Sequence, residues 1–104
     1  MQQPADAGQG EVNIVVTQLV LPGKESECEA LLREVEAATV ANDKGCLRYE
    51  WYRSETPQTY ILLERWTDRT AVQAHLAAPH MLAIREKIQR LVSEAFTFVR
   101  LTKL

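Results

Sequence analysis

The sequence predicts an α+β fold of the ferredoxin-like kind, a split βαββαβ unit whose antiparallel sheet carries its helices on one face. Three observations predict it. The chain has 104 residues, 46% of them hydrophobic and 25% charged, which is the size and make-up of one globular domain. Its apolar periodicity changes between two and 3.6 in the order strand, helix, strand, strand, helix, strand. Two of the strands are apolar on both faces, which a sheet with one wetted side does not need.

The elements follow in order. Residues 1–10 are small and polar, with one proline and two glycines, and are expected to be a flexible tail ahead of a single domain at 11–104. Residues 12–21, VNIVVTQLVL, read as a strand of β-branched residues, ended by Pro22-Gly23. Residues 24–41 read as a helix with an inward stripe of Cys28, Leu31, Leu32, Val35 and Ala38. Glu25, Glu27, Glu29, Arg33, Glu34 and Glu36 are its solvated face, and acidic side chains suit its first turns. Residues 42–45 stop it, with Gly45 free to turn left-handed.

Residues 46–54 read as a second strand, with Leu47, Tyr49 and Trp51 on one face and Arg48, Glu50 and Tyr52 on the other. A hairpin loop around Pro57 leads into a third strand at 60–66. There Tyr60, Leu62, Glu64 and Trp66 oppose Ile61, Leu63 and Arg65. Thr67-Asp68 breaks the alternation and offers an oxygen to cap a helix at 69–77, on which Val72, His75 and Leu76 share a face. Pro79 opens a further helix to about 92, buried along Met81, Ile84, Ile88 and Leu91. Residues 95–104, AFTFVRLTKL, are the fourth strand. Because the second sheet face is apolar, a second copy of the same sheet is the expected cover, giving a homodimer joined sheet against sheet.

The bulk numbers exclude several functions. A net charge of −2 offers no basic face for nucleic acid. No apolar run approaches the roughly 20 residues of a membrane span, and the N-terminus lacks a secretory pattern, so a cytoplasmic protein with no membrane partner is expected. Cys28 and Cys46 stand in no metal or redox spacing and are expected to be reduced thiols. None of the four glycines falls in a phosphate-binding loop.

Chemistry concentrates in residues 60–82. Glu64, Trp66, His75 and His80 are the capable side chains that the geometry gathers. His75 is either hydrogen-bonded inside the domain or a proton acceptor in a pocket between helix and sheet. Trp66 is core or one wall of that pocket. Glu64, on the same strand face, needs a partner, which His75 or Arg48 could supply. Tyr49, Tyr60, Leu62 and Val72 are candidate contacts for a small substrate, Tyr49 facing either the pocket or the dimer seam. His80 faces the pocket or caps the helix begun by Pro79. The histidines lie five apart across Pro79, so they do not form an i, i+4 metal pair, and a metal would need a further ligand from elsewhere.

The run LLERWTDRTAVQAHLAAPHM, behind KGCLRYEWYRS and IVVTQLVLPGKESECEALL, resembles the antibiotic biosynthesis monooxygenase family, and within it the branch of bacterial quinol monooxygenases. The resemblance covers about residues 12–103. It implies a dimeric α/β barrel of ferredoxin-like subunits. It also implies oxidation of electron-rich aromatics such as quinols and anthrones by O₂, with no metal, flavin or haem cofactor. His75 would then be the base or a hydrogen-bond partner, Trp66 a pocket wall, and Glu64 the group that orients one of them. The family's polyketide-tailoring members use an Asn and a Tyr where this chain has Leu62 and Val72, so that version of the chemistry does not carry over. Its haem-degrading members use an Asn and a His at positions best matched by Val16 and Arg85, which argues against haem. A proton-transfer isomerase of a small carbonyl compound, or a non-catalytic ligand-binding or stress-response module, are the alternatives on the same fold.

Overall fold

The computed structural model describes residues 10–104, so the expected tail lies, but for Gly10, outside the described residues. Strand β1 (Val12–Val20) leads into helix α1 (Glu25–Asn42), then strands β2 (Cys46–Arg53) and β3 (Thr59–Trp66). Helices α2 (Arg69–Ala77) and α3 (Pro79–Gln89) and strand β4 (Val92–Leu101) follow. The sheet runs β2-β3-β1-β4, and every pairing is antiparallel. The expected βαββαβ order holds, with Pro79 dividing the second helical stretch because its ring cannot sit in a helix interior.

The most β-branched strand, β1, sits in the middle, where Val16 stands opposite Leu62 on one side and Phe98 on the other. The helices cover one sheet face. Val12, Ile14, Tyr49, Leu62 and Trp66 pack there against Val35 and Ile84. A second cluster joins Val20, Cys28, Leu32, Tyr60 and Leu91. Along α1 the buried positions are Cys28, Leu32, Val35 and Thr39, so the stripe drifts past Ala38 as a 3.6-residue period requires. Burial pushes the Cys28 thiol up to about 11, which leaves it an inert core side chain.

Four expectations need correction. Helix α3 ends at Gln89 and β4 begins at Val92, not Ala95, because the chain turns at Arg90-Leu91 and Val92 pairs with Val20. Leu91 is therefore a buried turn residue, its carbonyl accepting from Leu21 N at 2.9 Å. Leu47 does not share the face of Tyr49. A bulge between Cys46 and Arg48 turns Cys46 toward the core and leaves Leu47 51% exposed. The acidic face of α1 is not all solvated. Glu36 Oε1 accepts from Trp51 N at 2.8 Å, and Glu29 accepts from Arg53 at 2.7 and 2.8 Å and from Tyr60 Oη at 2.6 Å. The Arg53 guanidinium, helped by that hydroxyl, holds the Glu29 carboxyl down at about 2. Finally, Glu64 is not paired with His75 or Arg48. Arg48 projects from the other face onto Glu50 at 2.6 Å.

That other face is apolar in its middle. Leu63, Val15 and Val99 form a cross-strand row beside Ile61, with Val99 48% and the neighbouring Leu101 51% exposed. No helix among the described residues is long and apolar enough to cross a membrane.

Candidate active site

The site is assembled by three helix ends and the face of the sheet beneath them. Asp68 caps α2, its Oδ1 accepting from Ala71 N at 2.8 Å, and this sets the helix phase so that His75 points inward. His75 is 3% exposed. Its ring lies 4.8 Å from Trp66 and 5.2 Å from Tyr49, centroid to centroid, tilted 40° and 59° to them. Two aromatic faces thus fix the plane of the imidazole.

The partner of that imidazole is Asp43, the residue that ends α1. His75 Nδ1 donates to Asp43 Oδ2 at 2.5 Å, and the two side chains are 3% and 7% exposed. Asp43 Oδ1 in turn lies 3.0 Å from His80 Nε2, in the first turn of α3. Burial pushes the His75 pKa below its ordinary 6.5, against the upward pull of the Asp43 hydrogen bond and charge. The ring is therefore neutral at neutral pH. With Nδ1–H committed to Asp43, Nε2 is left with a free lone pair, which is the form a general base requires.

A cleft of about 680 Å³ opens in front of this ring, between the helix layer and the β1–β4 side of the sheet. Ile14, Val16 and Leu62 form its floor, Val72, Met81 and Ile88 its roof, and Phe96 and Phe98 its outer wall. The two phenylalanines are 57% and 54% exposed, since they stand on an edge strand beyond the reach of the helices. Its polar groups include His75, Glu64 and Arg85, with Gln18, Gln89, Ser93 and Glu94 also on its lining. Glu64 Oε1 accepts from Trp66 Nε1 at 2.9 Å, and burial raises its pKa more than that bond lowers it. Arg85 Nη2 donates to Leu76 O at 2.9 Å.

Of the residues expected from sequence, His75, Glu64, Tyr49, Leu62 and Val72 line this cleft together. Trp66, Tyr60 and His80 stand elsewhere. Trp66 is wholly buried behind His75, and Tyr60 belongs to the second core cluster and the Glu29–Arg53 pair. His80 stands on the far side of Asp43. Sequence reasoning missed Asp43, Phe96 and Phe98. One signal was available for Asp43. It is a carboxylate at the C-terminal end of a helix with no basic residue in its last turn, where the helix dipole disfavours negative charge.

The sequence profile of the antibiotic biosynthesis monooxygenase family matches residues 12–87. The chain is 30% identical over 82 residues to Rv0793 of Mycobacterium tuberculosis, named as a candidate monooxygenase, spanning 79% of this chain and 80% of that protein. The crystal structure of a candidate antibiotic biosynthesis monooxygenase from Caulobacter crescentus superposes with a TM-score of 0.86 at 28% identity, covering 92% of each chain. The structure of Rv0793 superposes with a TM-score of 0.82 at 27% identity, covering 91% of this chain and 96% of the other.

Proposed function

Because the chain belongs to the antibiotic biosynthesis monooxygenase family, we propose that it is a cofactor-independent monooxygenase that oxidises a small aromatic quinol, hydroxyquinone or anthrone with O₂. The observation that carries this is the His75–Asp43 pair set against an apolar cleft. Asp43 holds the His75 proton on Nδ1, so that Nε2 accepts the phenolic or benzylic proton of a substrate lying on Ile14, Val16 and Leu62. The resulting carbanion or phenolate gives one electron to O₂, and the substrate radical and superoxide combine. One oxygen atom stays in the oxidised product. The other leaves as water, with the proton returned from His75 and the second hydrogen of the oxidised carbon, and the substrate supplies all the electrons. The apolar walls exclude water, and Arg85 brings the one cationic group near the developing anion.

The working unit in this reading is a homodimer joined through the Leu63–Val15–Val99 face, which supports it by being apolar, with Leu63 and Val15 half-buried and Val99 exposed. Oxygen consumption by purified, metal-stripped protein with a panel of naphthoquinols and hydroxyanthrones is the test. Uptake should occur, and His75→Ala should lower it by about 10²–10⁴-fold, the usual contribution of a general base. Turnover that continues unchanged without O₂ would instead identify an isomerase using the same imidazole.

A further inference from the structure

We propose that Asp43, His75 and His80 form a site for a borderline divalent cation of the zinc class, behind the cleft rather than in it. One ligand atom from each of these residues lies within 4.8 Å of the other two. Two imidazole nitrogens and a carboxylate oxygen are the donor set that suits such ions, and three protein ligands leave a fourth tetrahedral place for water. The site is enclosed: the Asp43 and His75 side chains are 7% and 3% exposed, and that of His80 is 25% exposed.

A second observation points the same way. His80 Nε2 is buried and has no hydrogen-bond partner, although it stands 3.0 Å from Asp43 Oδ1. Its contact with the carboxylate lies off the line of a hydrogen bond. Buried polar atoms are seldom left like this, and a cation between the two would satisfy both. The spacing is close to what is needed. Bonds of about 2.0–2.2 Å put tetrahedral ligand atoms roughly 3.3 Å apart. The Asp43–His80 pair already approaches this, and a turn of the Asp43 carboxylate opens the 2.5 Å contact with His75.

The ligands come from three elements whose ends are fixed by backbone bonds. Asp43 N donates to Thr39 O at 2.9 Å, Ala78 N to His75 O at 3.1 Å, and Leu82 N to Ala78 O at 3.0 Å. The His75 ring is also held by Trp66 and Tyr49, so the cage is largely formed before an ion arrives.

Binding has a consequence for the cleft. The cation takes the Nδ1 lone pair of His75, and the single N–H proton of the neutral ring moves to Nε2. His75 then presents a donor to the cleft, where it otherwise presents a lone pair. The metal is a ligand that switches the ring's character, not a participant in turnover. This goes beyond the monooxygenase reading and stands without it.

The test is calorimetric titration of the metal-stripped full chain with Zn²⁺, together with visible absorption of Co²⁺ at the same site. We expect one ion per chain and a tetrahedral Co²⁺ spectrum. Losing an outer-shell partner alone costs about 10–100-fold in affinity, so His80→Ala and Asp43→Asn should each weaken Zn²⁺ binding at least about tenfold and abolish that spectrum. Circular dichroism checks that the variants fold, and His80→Gln replaces His80→Ala should the latter unfold. No Zn²⁺ uptake by the wild type, or equal uptake by wild type and folded variants, overturns the proposal. Zn²⁺ binding at this site, together with no oxygen uptake by the metal-stripped protein on any substrate, would keep the metal site and remove the oxygenase.

Discussion

At the scale of single residues, His75 is governed by two opposed effects of one location. Burial drives its pKa below 6.5, and Asp43 pulls it back. In the metal-stripped protein the acid limb of kcat/KM should therefore lie below pH 6.5, with activity lost as pH falls through that limb and flat above it, since only the neutral ring accepts a proton. Asp43→Asn removes the upward pull, so the limb should move further to acid. The same change releases the tautomer, and kcat should fall about tenfold or more. A pH–rate profile of both proteins checks the pair of outcomes. A limb that stays in place in the variant would separate Asp43 from the titration.

At the scale of elements, the connection from α1 to β2 matters more than its length suggests. Gly45 has φ +82°, and a Cβ there would meet Thr67 Oγ1 at 2.5 Å and Ala71 Cβ at 2.7 Å. Gly45→Ala should cost about 1–3 kcal/mol from the left-handed backbone alone. The crowding against Thr67 and Ala71 adds to that cost. Urea unfolding measures it, and a loss below this range would mean that the loop relaxes freely. The alternation that places Tyr60, Leu62, Glu64 and Trp66 on one face was legible from residue order, as were the Asp68 cap and the Pro79 break, since each depends on local chemistry. The Leu47 bulge was not, because a period-two pattern gives no sign of where an extra residue is inserted. The start of β4 was hidden for a related reason: Leu91 continues the helical spacing of Ile88, and only pairing with Val20 ends it. Asp43 reaches His75 across 32 positions of sequence, a contact that tertiary packing alone creates.

For the whole molecule, the apolar second sheet face predicts assembly. Sedimentation at micromolar concentration should give twice the chain mass, and Val99→Glu, which sets a charge on the exposed β4 side of that face, should shift it to the single chain. A wild-type protein that sediments as a single chain would refute the dimer and leave that face open to solvent. The residues that built the fold prediction also built this one, because a strand apolar on both sides reports burial on both sides. What it could not report is the cleft wall. Phe96 and Phe98 look like core residues in the sequence and are left uncovered only because the helix layer stops short of β4.

The central position of β1 also limits how such a protein can change over generations. Its even-numbered side chains, Ile14 and Val16, floor the cleft, while Val15 lies in the row on the opposite face. Inserting or deleting one residue in β1 would exchange the two sets, placing Val15 on the cleft floor and Val16 on the opposite sheet face. New substrate ranges are therefore reached by exchanging side-chain sizes at fixed positions along this strand. Changes in length are left to the exposed loop between Arg53 and Thr59, which neither floors the cleft nor crosses the sheet.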